Sequence, residues 1–228
     1  MPDLTSESHP LTVDWLPGHA VGLTMAPGKF QRSPRGHTWN RDLDTDLHRL
    51  RAVERADVLV CLLEPHELRA LAVHGLVTRA REHGLVVLRF PIRDAHVPPS
   101  RAKLARLIER IERHADAGRR VVIHCAAGLG RSGLVAGCYL KQRGAKADEA
   151  LRVLAATRGP RCPETKEQIA FVRGWRRRVR RTTSCCKPGT GSAGSAAPPA
   201  SRGRREALDR RRDPPPPSPS PHPLDQAT

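Results

Sequence analysis

Six cysteines occur in this chain, and one of them, Cys125, stands where a thiol could act as a nucleophile. It lies in the string H-C-A-A-G-L-G-R-S-G, residues 124 to 133, with Arg131 six positions downstream. A thiolate followed by a glycine-rich turn and an arginine is suited to attack on a bound phosphoryl group. Loop amides and the positive end of a helix dipole hold the anion and favour thiolate over thiol. The arginine fork then grips two phosphate oxygens. The spacing C-x5-R alone would prove little in a chain with 40 Lys and Arg. The setting decides, because only Cys125 has the partner together with His124, Gly128, Gly130, Ser132 and Gly133 around it.

That chemistry needs elements to aim it. Arg119 to Ile123 is the β-branched run of an interior strand, and Gly133 to Leu140 has the small and apolar spacing of a helix packed on a sheet. Cys125 therefore falls where strand becomes helix. Upstream, Leu11 to Leu16 and Ala20 to Met25, divided by Pro17-Gly18, read as an edge hairpin. Arg41 to Ala56 reads as a helix whose Asp42, Asp44 and Asp46 form a solvated first turn rather than a metal site. Asp57 to Leu63 is a second interior strand, Glu67 through Glu82 a helix, and Leu85 to Phe90 a third strand. Ser100 to Ala117 is an amphipathic helix stopped by Gly118, and helices over Lys146 to Ala156 and Lys166 to about Arg181 close the domain. Strands alternating with helices predict an α/β fold with a mainly parallel sheet covered on both faces.

In such a sheet the ligand sits at the carboxyl ends of the strands. Asp94 leaves the third strand at that edge, within F-P-I-R-D-A-H-V-P-P, a loop kept irregular by its prolines and placed to swing over a substrate. His96 reads as a solvated neighbour.

The string from His124 to Gly133 resembles the signature loop of the cysteine-dependent protein tyrosine and dual-specificity phosphatases. The likeness extends in layout over residues 10 to 180. It implies a phosphotyrosine protein phosphatase-like fold and hydrolysis of phosphomonoesters through a cysteinyl-phosphate. Cys125 would be the nucleophile, with Ala126, Ala127, Gly128, Leu129, Gly130 and Arg131 forming the phosphate-binding loop. Asp94 would be the general acid, Ser132 would donate to the departing sulfur, and His124 would steady the loop. The segment R-C-P-E-T-K-E-Q-I-A-F is similar to one in the cyclin-dependent-kinase-associated members, the group nearest in motifs, where a glutamine positions the hydrolytic water. That role falls to Gln168. Cys61, near its strand's end, is a candidate for a protective disulfide with Cys125, against the plainer reading of a buried inert thiol.

Composition bounds the rest. The chain has room for one ordinary domain: residues 1–9 read as a flexible start, 10–182 as the catalytic domain, and 183–228 as a disordered basic, proline-rich tail. The cysteines show neither paired spacing nor a His/Cys cluster, which argues for a reducing compartment and against a metal or cofactor. With no apolar run long enough to span a membrane, a cytoplasmic protein is expected. Of the net charge of +17, the tail carries +3 and residues 1–182 carry +14. A basic domain favours anionic partners without choosing among them.

A phosphorylated protein is the expected substrate, on tyrosine as well as serine or threonine. No lysine occupies the variable loop positions, which disfavours inositol polyphosphates, and the sole tyrosine, Tyr139, lies in the following helix and cannot wall a deep pocket. Alternatives are an RNA 5′-phosphatase of the same superfamily, nucleic acid being the less favoured partner, and a non-catalytic phospho-binding module. The last could dispense with Cys125 and Asp94.

Overall fold

The structure, a computed structural model, describes residues 3–33 and 36–176. The tail from residue 183 and the last turns of the helix expected to reach Arg181 lie outside the described residues. The frame is a five-stranded sheet in the order β1-β2-β7-β5-β6. Its strands are β1 (Asp14–Trp15), β2 (Val21–Thr24), β5 (Val58–Cys61), β6 (Val86–Arg89) and β7 (Val121–His124). β7 is central and parallel to both neighbours, and only β1 runs antiparallel, at the edge beside β2. A small separate hairpin, β3 (Phe30–Arg32) and β4 (Thr38–Asn40), was not foreseen.

The buried strands Val58–Cys61 and Val121–His124 are inaccessible on both faces, as continuous apolar runs between two helical layers must be. Strand alternation divides the core. Val58, Val60, Val121 and Ile123 face α4 (Arg101–Asp116), α5 (Gly130–Gln142), α6 (Ala147–Arg158) and α7 (Lys166–Arg173). Leu59, Cys61 and Val122 face α1 (Leu43–Ala52), α2 (Pro65–Ala70) and α3 (Leu76–Glu82). No helix among the described residues is long and apolar enough to cross a membrane.

Three expectations need correction. The helix read as continuous over Glu67 to Glu82 is two, because the chain breaks at Leu71 to Gly75, with Ala72 in the left-handed region at φ 57°. The predicted helix at Gly133 begins earlier, at Gly130, so Arg131 and Ser132 belong to its first turn. The three aspartates of α1 are not uniformly solvated. Asp42 caps the helix by accepting from Thr45 N–H at 2.7 Å, and Asp44 pairs with Arg79 at the surface. Asp46, however, is fully buried, and both its oxygens accept from the Arg41 guanidinium at 2.7 Å.

Candidate active site

The carboxyl edge of the sheet is a row of paired residues, Thr24, His124, Cys61 and Arg89, one from each parallel strand. Cys125 follows His124 directly, so its side chain turns to the opposite face and packs, 3% exposed, with the α4–α7 core. The chain then folds through Ala126 to Leu129 into α5. Gly128 is obligatory in that turn. Its φ is +73°, and a Cβ there would stand 2.3 Å from the Thr24 carbonyl oxygen.

The loop's carbonyls are held from outside. Ala126 O accepts from Ala26 N–H at 3.2 Å and from Lys29 Nζ at 3.4 Å. Arg158, in the last turn of α6, donates to Ala127 O at 3.0 Å and Gly128 O at 3.1 Å while pairing with Asp14 of β1. In a planar trans peptide C=O and N–H point opposite ways, so the amides of residues 127 to 129 are turned into the loop.

Arg131 is 1% exposed, and both terminal nitrogens of its guanidinium are engaged. Nη1 and Nη2 donate to the two Glu67 oxygens at 2.6 and 2.8 Å, Nη1 also donates to Ile92 O at 3.0 Å, and Nη2 pairs with Asp94 at 2.8 Å. Nε has no partner. Burial alone would lower the guanidinium's pKa, but the Glu67 hydrogen bonds and the charges of Cys125 and Asp94 outweigh it and raise it further. Glu67 answers in kind. Burial would raise its carboxyl, and Arg131 brings it below the ordinary value.

The structure gathers the residues singled out from sequence. Asp94 sits on an exposed turn closed by Ala95 at φ 58°, and His96 Nδ1 donates to Asp94 O at 2.6 Å. Gln168 is fully buried at the start of α7. Its Oε1 accepts from the amides of Glu164 and Thr165, and its Nε2 donates to His96 O at 3.2 Å, tying the Asp94 turn to that helix. A Cβ on Gly130 would meet Gln168 Oε1 at 2.9 Å, so the glutamine abuts the loop. Ser132 Oγ is wholly buried and without a partner, as is His124 Nε2, whereas His124 Nδ1 donates to Cys125 O at 3.2 Å.

Cys61 and Cys125 are free thiols in the two separate core layers. Cys61 lies between its strand partners Arg89 and His124, and Arg89 Nη1 donates to its sulfur at 2.9 Å. Burial would raise its pKa, but His124 and Arg89 outweigh that and bring it down to about 7. Cys61 is fully buried, and strand alternation turns it away from the face that Cys125 occupies.

Sequence reasoning missed Glu67, Lys29 and Arg158. Glu67 had a signal, since E-P-H-E directly after a buried strand is a helix start at the edge where ligands bind. Lys29 follows Pro27-Gly28 just beyond β2 at the same edge. Arg158 offered none beyond its helix.

Residues 70–178 match the family model for the dual specificity phosphatase catalytic domain, a stretch holding Asp94, the whole phosphate loop and Gln168. The chain is 29% identical to cyclin-dependent kinase inhibitor 3 of Sus scrofa over 60% of its own length, and it spans 64% of that relative. It is 27% identical to the Rattus norvegicus protein of the same name, over 75% of this chain and 81% of the relative. Its backbone is similar to that of kinase associated phosphatase with the catalytic cysteine replaced by serine, at a TM-score of 0.64 and 23% identity, covering 72% of this chain and 92% of that one. The active form of Tk-PTP superposes at 0.58 with 27% identity, covering 75% of this chain and 99% of that one. Residues 70–178 thus carry a dual specificity phosphatase catalytic domain, and the chain around them resembles the kinase-associated members of that family.

Proposed function

We propose that this protein is an active phosphatase that hydrolyses phosphomonoesters on phosphoproteins, accepting phosphotyrosine and phosphoserine or phosphothreonine. The observation that carries the reading is the convergence on one loop of a buried cysteine, a buried arginine and an aspartate paired to that arginine from an exposed turn.

The Cys125 thiolate attacks phosphorus in line, forming the S–P bond as the P–O bond to the substrate breaks. Loop amides and Arg131 bear the charge of the equatorial oxygens. In the structure Asp94 is held against Arg131 Nη2 at 2.8 Å. The substrate's phosphoryl oxygens must therefore take Asp94's place on Arg131, freeing Asp94 to act as the acid that protonates the leaving oxygen. In the second step Asp94 takes a proton from water as the water attacks the cysteinyl-phosphate, and the sulfur leaves as thiolate. Ser132 Oγ supplies the hydrogen bond that eases this departure. Gln168 stands at the loop's mouth, and its amide could orient that water once released from the His96 carbonyl. Four free cysteines among the described residues suit the reducing cytoplasm.

Glu67 and Asp94 are both acidic neighbours of Arg131, and the loop itself brings no lysine. A single phosphoryl group on a peptide is the better fit than a polyphosphorylated ring. The test is hydrolysis of an aryl phosphate and a phosphopeptide panel by wild type, Cys125→Ser and Asp94→Ala. Cys125→Ser should be inert yet still bind phosphopeptide, and Asp94→Ala should lose more rate on poor leaving groups than on good ones, by about a hundredfold or more. Turnover surviving in Cys125→Ser would overturn the reading. So would phosphopeptide binding without turnover by the wild type, the outcome expected of a non-catalytic binding module. Faster turnover of 5′-triphosphate RNA than of any phosphopeptide would reassign the substrate.

A further inference from the structure

Lys29 is 3% exposed, an unusual place for an ammonium group. It lies outside the stretch matched by the family model and outside the loop. Its Nζ stands 5.1 Å over the Trp39 ring and donates to Gln31 Oε1 and Ala126 O, both at the long distance of 3.4 Å. A buried cation with two long hydrogen bonds to neutral acceptors and an aromatic face is under-satisfied, and among the charges that act on it is that of Cys125, one residue before Ala126.

The fold expends a buried ion pair to keep it there. Asp46 accepts from Gly28 N–H at 2.8 Å and holds the Arg41 fork, while Arg41 N–H donates to Lys29 O at 3.2 Å. Arg41 also lies over the Trp39 ring, 5.9 Å from its centroid. The turn carrying Lys29 is thus pinned on both sides of the residue, from an element with no other link to catalysis.

We infer that Lys29 is a positioning residue for the reaction at Cys125: it holds the Ala126 carbonyl outward, so that the next amide faces the phosphoryl group, and its charge stabilises the thiolate. This rests on the phosphatase reading above. The charged groups facing Lys29 are Cys125 on the loop, Arg41 ahead of α1 and Arg158 on α6. Burial lowers its pKa, the Cys125 charge raises it, and Arg41 and Arg158 lower it, with the result at about 8. The cation is therefore present at neutral pH and lost in mildly alkaline solution, unlike an ordinary lysine.

The experiment compares wild type, Lys29→Met and Lys29→Arg in three readouts: the pH profile of kcat/KM on an aryl phosphate, the rate of Cys125 alkylation by iodoacetamide at neutral pH followed by peptide mass spectrometry, and thermal melting. Wild type should show an alkaline fall in kcat/KM centred near pH 8. Lys29→Met should melt no lower than wild type, lose about tenfold or more in kcat/KM at neutral pH, and alkylate more slowly at Cys125. Lys29→Arg, charged at every accessible pH, should keep the fast alkylation and lose the alkaline fall. A merely structural lysine would lower kcat/KM without moving either the limb or the alkylation rate. Met and Arg variants with the wild-type profile and alkylation rate would overturn the inference, even with the enzyme active. Should Lys29→Met not fold, persistence of the alkaline fall in Lys29→Arg would do so by itself. Absence of turnover in the wild type would instead sink the phosphatase reading, while the alkylation comparison would still decide the charge role.

Discussion

Replacing Glu67 by Gln is the sharpest probe of how Arg131 is held. Both Glu67 oxygens accept from the guanidinium, at 2.6 and 2.8 Å, and the side chains are 13% and 1% exposed. An exposed pair would contribute about 1 kcal/mol or less, whereas breaking a buried one by removing a partner costs about 3–5 kcal/mol. Here Arg131 keeps the Ile92 carbonyl and Asp94, so the loss falls toward the lower bound, about 2–3 kcal/mol. The glutamine keeps one acceptor but turns an NH2 group against a donor. Urea unfolding near pH 7 should show the unfolding free energy falling by this amount, through a lower midpoint at an unchanged slope. The guanidinium, freed from one side of its clamp, should also bind orthovanadate about ten- to a hundredfold more weakly, since every 1.4 kcal/mol is about tenfold. The pH dependence identifies the cause. Because the folded-state pKa of Glu67 is depressed, its contribution is present above the unfolded value and disappears as pH falls through the folded one. Wild type and Glu67→Gln should therefore converge in stability as the solution is acidified below about pH 4. A stability gap that stays constant from neutral to acid pH, or unaltered vanadate affinity, would refute the clamp.

Other perturbations test neighbouring parts. Gly128→Ala forces a Cβ to 2.3 Å from a backbone oxygen at a positive φ, and should lower stability by roughly 2 kcal/mol or more with loss of vanadate binding, as read by urea unfolding and calorimetry. Asp46→Ala strands the buried Arg41 charge and should cost about 3–5 kcal/mol, while Asp44→Ala, at the surface, should leave the urea midpoint nearly unchanged. Lys29 has a folded-state pKa below that of the unfolded chain, so the unfolded state binds more protons between about pH 8 and 10.5, and stability should rise across that window. Lys29→Met should remove that rise, seen by urea titration at several pH values.

What the sequence made legible follows from how local each signal is. The loop, its strand and its helix are contiguous, so spacing and β-branched content revealed them, and the order of elements then placed Asp94 on the same rim. Asp46 shows the opposite case. Within its helix it looks like any first-turn aspartate, and only the distant turn at Gly28 and the fork of Arg41 make it a buried structural anion. The break between α2 and α3 was hidden because Leu71 to Gly75 keeps helix-compatible residues before Gly75, although Ala72, between the buried Leu71 and Val73, is left-handed. Glu67, Lys29 and Arg158 reach the loop across 64, 97 and 30 residues of sequence respectively, in contacts that no pattern of spacing records.

The central claim is that phosphoryl transfer passes through Cys125. Asp94→Ala slows both proton transfers, so it should slow hydrolysis of the intermediate as well as its formation. Rapid acid quench of this variant with an aryl phosphate of good leaving group, followed by peptide mass spectrometry, should find one phosphoryl group on the Cys125 peptide, absent when Cys125 is serine. Phosphate released at the same rate with Cys125 unmodified at every quench time would contradict the account.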